Sequence, residues 1–412
     1  MPSFSFLQIS DIHLDSSTES SRLSLPPEKT RRRAAELRAL LPAACALVKD
    51  RRLQGMLIPG DLFDEEAVRQ DTVNFAIEHL ASVAPSVVVI APGNHDFYSP
   101  GSPYNDDLLR ARKQQPWPEN VHIFRSGSWH THQFPDLPSV RFTGMAHAAN
   151  AMVHERLLAR PIPRPGLPHG AGPVLDLLLL HGSRDNTTIP ERKLRTLPFS
   201  DAELAAQGFD YAAIGHYHEQ ASILSPDGRL VGAYAGCPGG RGLDEYGEKW
   251  VLIGEVIKDA GGSRVTLERV RLDHRVIHCV EVACAVTAIT HREALLRRIE
   301  EAVDAREATE DDMVHVRLSG SAAAGIDARI PAGFLGDRFF HISFDVTGLR
   351  PGYDLQQYRD TRLRTTEARF ARELLGRIET ESDPARRRLL ENALYYGLDA
   401  LVQGSVEPRY ED

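Results

Sequence analysis

Strand-length apolar runs alternate with helical patterns over the first 258 residues. FSFLQIS, GMLIPG and SVVVIAPG are short, nearly continuous apolar runs of the kind shown by strands buried on both faces. Between them, RRRAAELRALLPAACALVKDRR and VRQDTVNFAIEHLASV carry apolar residues at helical spacing. The resulting β-α-β-α-β order predicts a layered α/β domain with helices over the sheet faces. VHIFRSGSWHTH, VRFTGMAH, VLDLLLLHGS, YAAIGHYHE, RLVGAYAG and KWVLIGEVIKD follow, all mostly strand-like. They predict a second sheet packed on the first, so residues 1–258 read as a two-sheet β-sandwich flanked by helices. ARPIPRPGLPHGAGP, residues 159–173, is too rich in Pro and Gly for regular structure and reads as a surface loop.

From Lys258 to Arg275 the chain turns to charged, β-like text. VIHCVEVAC, HREALLRRIEEAVDARE, MVHVRLSG and FFHISFDVTG then read as strand, helix, strand and strand, which makes a small α+β domain over 275–350. Residues 360–412 predict two amphipathic helices broken at Asp383-Pro384, because proline ends the preceding helix and suits the first turn of the next. Such a terminal pair either packs on its own domain or docks on a partner.

The composition keeps the chain among soluble globular proteins: 412 residues, 42% apolar and 25% charged, enough for two or three domains. The N-terminal MPSFSFLQIS runs straight into polar DIHLDSS without a secretory pattern. No segment has the run of about 18 apolar residues that a membrane helix needs. The expectation is a cytoplasmic protein with no membrane association. Cys45, Cys237, Cys279 and Cys284 form no C-x-x-C pair and are too few for a disulfide scaffold, which argues against thiolate metal or redox chemistry. A net charge of −9 argues against nonspecific coating of nucleic acid. It leaves room for a local basic groove, and bound divalent cations would offset part of it.

The chemistry lies where the apolar runs end. Asp11 and His13 in SDIHLD, Asp61 and Asp64 in PGDLFDE, Asn94, His95 and Asp96 in APGNHDF, His181 in LLLLHGS, and His216 and His218 in IGHYHE each follow such a run. Alternate positions on an extended segment point the same way, so Asp11 with His13, and His216 with His218, can each send two side chains into one pocket. Taken singly, His13 or His181 reads more readily as a hydrogen-bonded, half-buried histidine than as a ligand, and G-D or G-N-H-D makes ordinary turns. Taken together, strand after strand ending in carboxylates and imidazoles would be costly in a buried cleft unless cations satisfied them. The mixed carboxylate, imidazole and amide donors suit two divalent metal ions, Mn2+ foremost, with Fe2+, Zn2+ or Mg2+ as alternatives. Two ions about 3.5–4 Å apart can share a bridging carboxylate and generate hydroxide near neutral pH, for which attack on phosphorus is the natural reaction.

DIH, GDLFD, GNHD, H and GHYH resemble the motifs of the calcineurin-like metallophosphoesterase superfamily, and their order and flanks resemble its Mre11/SbcD group of DNA repair nucleases. The resemblance covers roughly the first 250 residues. It implies that Asp11, His13, Asp61 and His218 hold one metal and Asp61, Asn94, His181 and His216 the other, with Asp61 bridging. It leaves His95 as proton donor to the leaving oxygen. Asp64 matches the family pattern for the residue that orients His95, and Asp96 competes for that role or caps a turn. YAGCPGGRGLDEYGEKWVLIGEV resembles the segment after the last histidines, but carries Cys237-Pro238-Gly239-Gly240 where many relatives have Gly-Ser. Arg184, Arg192, Lys193 and Arg195 read as a solvated charge cluster or as a phosphate-binding wall.

The resemblance implies a deoxyribonuclease, exonuclease or endonuclease, acting in DNA repair, with the small domain shaping DNA access. The same motifs also serve small-molecule phosphodiesterases and phosphatases. A third reading makes the chain an interaction subunit whose C-terminal helices dock on an SbcC/Rad50-like coiled-coil ATPase. The chain has no G-x-x-x-x-G-K-[ST] of its own, so an ATP step would come from that partner. A homodimer is compatible with all three.

Overall fold

The computed structural model describes all residues except 17–24, 65–67, 149–154, 167–171, 186–195, 244, 325, 327, 405 and 407–412. Its contacts divide into two compact units, Met1–Val276 and Ile277–Asp412.

The first unit begins with β1 (Ser3–Gln8), α1 (Pro27–Arg38), α2 (Leu40–Asp50), β2 (Gly55–Ile58), α3 (Gln70–Ala81), β3 (Val87–Ile90), α4 (Asp106–Ala111) and β4 (Val121–Ile123). It continues with β5 (His130–His132), β6 (Val140–Gly144), β7 (Leu175–His181), α5 (Asp201–Ala206), β8 (Tyr211–Gly215), β9 (Ala221–Leu224), β10 (Leu230–Tyr234), β11 (Val251–Asp259) and β12 (Gly262–Val270). One sheet runs β12-β11-β1-β2-β3-β4 and the other β5-β6-β7-β8-β10-β9. β1 to β4 are parallel to one another, as are β6, β7, β8 and β10.

The period-two alternation of strands separates three apolar layers. Phe6, Leu57 and Val89 face inward against Phe142, Leu177, Leu179 and Tyr211 of the other sheet. Their neighbours Leu7, Met56 and Val88 pack outward against Leu41, Cys45, Val73 and Ile77 of α2 and α3. On the far side, Leu178, Leu180 and Ile214 pack with Leu204 and Phe199. Gln8 is a buried polar side chain between the sheets, donating to the Ala233 carbonyl at 2.9 Å and accepting from the Tyr211 hydroxyl at 2.6 Å.

Three expectations for the first unit change. The Arg-rich helix is two helices, because Pro42 has no N–H and its ring crowds the carbonyl four residues earlier, so the chain breaks at Ala39. VHI of β4 and the whole of β11 join the first sheet rather than the second, β11 pairing antiparallel with β1. The β11–β12 hairpin adds two strands to that sheet, so the first unit runs past residue 258 to Val276. The described part of 159–173 holds only a 3-10 turn, Leu157–Ala159, at its edge.

The second unit contains β13 (Ile277–Cys284), α6 (Arg292–Asp304), β14 (Met313–Ala322), β15 (His341–Pro351), α7 (Thr366–Thr380) and α8 (Pro384–Leu398). Its sheet, β13-β14-β15, is parallel throughout. Residues 277–412 cluster as one unit, not as separate segments at 275–350 and 360–412. Asp383 caps α8, its carboxylate accepting from the Ala385 N–H at 3.0 Å, with Pro384 in the first turn.

A candidate metal centre at the strand ends

Parallel strands present their loops together at their carboxyl ends, the usual location of a site in open α/β sheets. Asp11 and His13 follow β1, Asp61 follows β2, Asn94 and His95 follow β3, His181 ends β7, and His216 and His218 follow β8. The backbone turns sharply at these points. Asp11 (φ 52°), His13 (φ 47°), Asp61 (φ 51°) and His216 (φ 108°) all lie at positive φ, a conformation costing about 1–3 kcal/mol at a non-glycine residue unless its surroundings impose it. The surroundings do so through a continued ladder: Asp11 N–H donates to the Gly60 carbonyl at 3.2 Å, His13 to Asp61 at 3.0 Å and Leu14 to Leu62 at 2.9 Å. Two glycines make room. A Cβ on Gly60 (φ +100°) would strike the His181 ring, and one on Gly93 would strike Asp61 Oδ1.

Asp96 sets the Asp61 loop. Its buried carboxylate accepts from the N–H groups of Asp61 (3.2 Å), Leu62 (2.8 Å), Phe63 (3.2 Å) and Gly93 (2.7 Å), and from the Tyr104 hydroxyl (2.6 Å). Of the two roles open to Asp96, its contacts are those of the turn-capping one. Asp64 reaches both candidate partners: its carboxylate is 2.7 Å from His13 Nδ1 and 3.4 Å from His95 Nδ1, while its carbonyl accepts from His95 Nδ1 at 3.2 Å.

Within the pocket, Asp11, His13 and His218 offer ligand atoms within 4.8 Å of one another, and so do Asp11, Asp61 and His181. Asn94 joins the second group, its Oδ1 lying 3.0 Å from His181 Nε2. His216 stacks edge-on against His181 with ring centroids 5.2 Å apart. Its N–H donates to the Asp11 carboxylate at 3.0 Å, tying the loops of the two sheets together.

Three imidazoles share one arrangement. Each is anchored through Nδ1: His13 to Asp64 at 2.7 Å, His181 to the Pro59 carbonyl at 3.0 Å and His218 to Glu245 at 2.6 Å. Each turns Nε2 toward a carboxylate, His13 to Asp61 at 3.7 Å, His181 to Asp61 at 3.3 Å and His218 to Asp11 at 3.9 Å. Metal-ligating histidines are held in this way, with the far nitrogen fixed by a carboxylate or carbonyl.

The electrostatics ask for positive charge. Burial alone would push Asp61 up, but His181 and His13 outweigh it and hold it well below the usual carboxylate range. Burial would lower His181, yet the neighbouring Asp61 raises it to about 9. Burial and the charge of Arg241 keep His13 low despite Asp64 and Asp61, and its Nε2 is buried without a hydrogen-bond partner. Carboxylates that draw a proton onto one buried imidazole and face a bare nitrogen on another fit divalent cations.

Glu245, Arg241 and His147 support the site and are absent from the set of site residues read off the sequence. Glu245 is buried, and its carboxylate accepts from His218 Nδ1, from Arg241 N–H at 2.6 Å and from Arg241 Nη2 at 2.7 Å. His147 is buried and donates from Nε2 to the His181 carbonyl at 2.8 Å. It follows β6 in the same strand-then-histidine pattern that marks the others. Arg184 is committed to Asp201 through two hydrogen bonds, the Nε one at 2.6 Å, whereas Arg192, Lys193 and Arg195 lie outside the described residues.

A sequence profile of the calcineurin-like phosphoesterase family matches residues 4–220, more than half of the chain and every strand end described above. The chain belongs to that family. It is similar to the uncharacterized metallophosphoesterase YhaO of Bacillus subtilis strain 168, 28% identical over 249 residues, which are 59% of this chain and 55% of that protein. The chain thus spans about half the length of that relative. Similar solved structures include TT1561 of Thermus thermophilus (11% identity, 66% of this chain and 100% of that one, TM-score 0.36) and a dimetal phosphatase from Danio rerio (13% identity, 64% and 98%, TM-score 0.34). Among the described residues, no helix is long and apolar enough to cross a membrane.

Proposed function

We propose that this phosphoesterase is a two-metal phosphodiesterase that cleaves DNA. In this reading Asp11, His13, Asp61 and His218 hold one divalent cation and Asp61, Asn94, His181 and His216 the other, with Mn2+ the first candidate. The observation that carries it is the set of three imidazoles anchored at Nδ1 and aimed by Nε2 at two buried carboxylates. When bound, such ions supply positive charge to phosphoryl oxygens and acidify water.

The chain's own residues do the rest. Asp61 Oδ1 accepts the His95 N–H at 3.1 Å, so the residue shared by the two proposed ligand sets also fixes the backbone of the proton donor. The His95 side chain is 43% exposed, open enough to meet a substrate. With Nδ1 committed to the Asp64 carbonyl, Nε2 is the atom left to pass a proton to the leaving oxygen.

DNA as substrate, and a coiled-coil ATPase as partner of the C-terminal helices, rest on the motif resemblance to the Mre11/SbcD group. Purified protein with Mn2+ should degrade linear DNA and stop on chelation. DNA left intact while bis-p-nitrophenyl phosphate is hydrolysed would replace the nuclease reading with that of a small-diester hydrolase. For the partner, Leu389 on α8 is 62% exposed. Leu389→Glu should abolish co-purification with such an ATPase, and unchanged recovery would count against docking there.

A further inference from the structure

Beside the metal centre, on the side of His218, lies a cavity of about 200 Å3. Lys249 and Trp250, the residues that lead into β11, form part of its wall together with Arg269 of β12. Lys249 is 4% exposed. Its ammonium makes one long hydrogen bond, 3.5 Å to the His218 carbonyl, and no ion pair among the described residues. A buried cation supplied with one distant carbonyl is costly unless an anion completes it. Trp250 is half-buried, and Arg269 sits 5.0 Å from its ring centroid, so the indole is backed by a cation. The exposed carboxylates of Glu219 and Glu248 also border the cavity. They disfavour a bare anion but suit amino and hydroxyl donors.

We propose that this cavity is a nucleotide subsite in which Lys249 takes a phosphate next to the scissile one and Trp250 stacks on a base. An indole and a buried ammonium side by side, with peripheral acceptors, match a planar heterocycle linked to a phosphate. The proposal rests on the phosphoesterase reading, since His218 lines both the cavity and the cluster of Asp11 and His13. A diester seated at the metal centre would extend its neighbouring nucleotide into this cavity.

Equilibrium dialysis of the full-length, EDTA-treated protein with labelled 5′-deoxyadenylate tests it, because without metal the phosphate cannot be held at the centre itself. Deoxyadenylate should bind saturably. Deoxyribose 5-phosphate and inorganic phosphate should each bind about tenfold more weakly or worse, having no base to stack. Lys249→Met should weaken deoxyadenylate by about tenfold or more, the weight of one charge-assisted hydrogen bond. Trp250→Leu, on the half-exposed wall, should weaken it similarly and keeps the test decisive should Lys249→Met fail to fold. No saturable binding, equal affinity for inorganic phosphate, or wild-type affinity in folded Lys249→Met or Trp250→Leu would each overturn the subsite. Mn2+-dependent turnover of DNA is read separately, so failure of the subsite and failure of the nuclease reading are told apart.

Discussion

Replacing Glu245 with Gln isolates the charge behind the metal centre. The Glu245 carboxylate lies 2.6 Å from His218 Nδ1, 2.6 Å from the Arg241 N–H and 2.7 Å from Arg241 Nη2. Burial would push it up, but Arg241 and His218 hold it well below the usual range, so it is ionised in the fold. Gln keeps the volume and one acceptor while turning an amide NH2 toward donors. His218 then loses the anionic partner that fixes its ring and raises its basicity, a change that typically weakens a metal site by about 10–100-fold, or about 1.4–2.7 kcal/mol. Arg241 loses its counter-charge, and with its side chain only 15% exposed this should remove about 1–3 kcal/mol of stability. A competition titration with a fluorescent chelator reads the first effect and a thermal melt the second. The expected result is one weakened Mn2+ site, one site near wild-type, and a lower Tm. Two wild-type sites with a lower Tm would refute the reasoning, leaving Glu245 as a partner of Arg241 alone.

Other outcomes follow from the same geometry. Asp96→Ala strips the acceptor from four buried N–H groups and from Tyr104. It should cost more than about 4 kcal/mol, visible as a large fall in the denaturation midpoint. Asp61→Ala should lose metal and activity together, as elemental analysis and hydrolysis of bis-p-nitrophenyl phosphate would report. His95→Asn should retain metal while turnover falls by about 100- to 10,000-fold, the usual weight of a general acid. Glu36 gives a pH signature: burial opposes its ionisation, but Arg275, bonded to it at 2.6 and 2.7 Å, draws its pKa below the ordinary value. Its contribution to stability is therefore present above a pH of about 4.3 and is lost as pH falls through the depressed value. Acid unfolding of Glu36→Gln should be correspondingly flatter.

Much of the site was legible because each ligand candidate ends an apolar run, and parallel strands bring such ends together. Asp11, His13, Asp61, Asn94, His181, His216 and His218 do converge. What supports them was less legible. Glu245 and Arg241 lie in a turn with no strand to mark them, and their role depends on a contact with His218 more than twenty residues away. Arg33 is the last of three consecutive arginines in the RRRAAELR run, and nothing in the sequence sets it apart from the other two. In the fold it is buried, donating to the Gly240 carbonyl at 2.7 Å and to Asp273 at 2.9 Å, and so holds the turn from which Arg241 projects. Sheet membership was also hidden: the apolar pattern of β11 marks a strand, but only its pairing with β1 assigns it to the first sheet. Pro42, by contrast, marks the break between α1 and α2 by a local steric rule that needs no tertiary contact.

The central claim is a pair of cations sharing Asp61. Metal content after Mn2+ loading and gel filtration, measured for the wild type by inductively coupled plasma mass spectrometry, tests it most directly. The account expects two ions per chain. One ion or none per folded chain would contradict it.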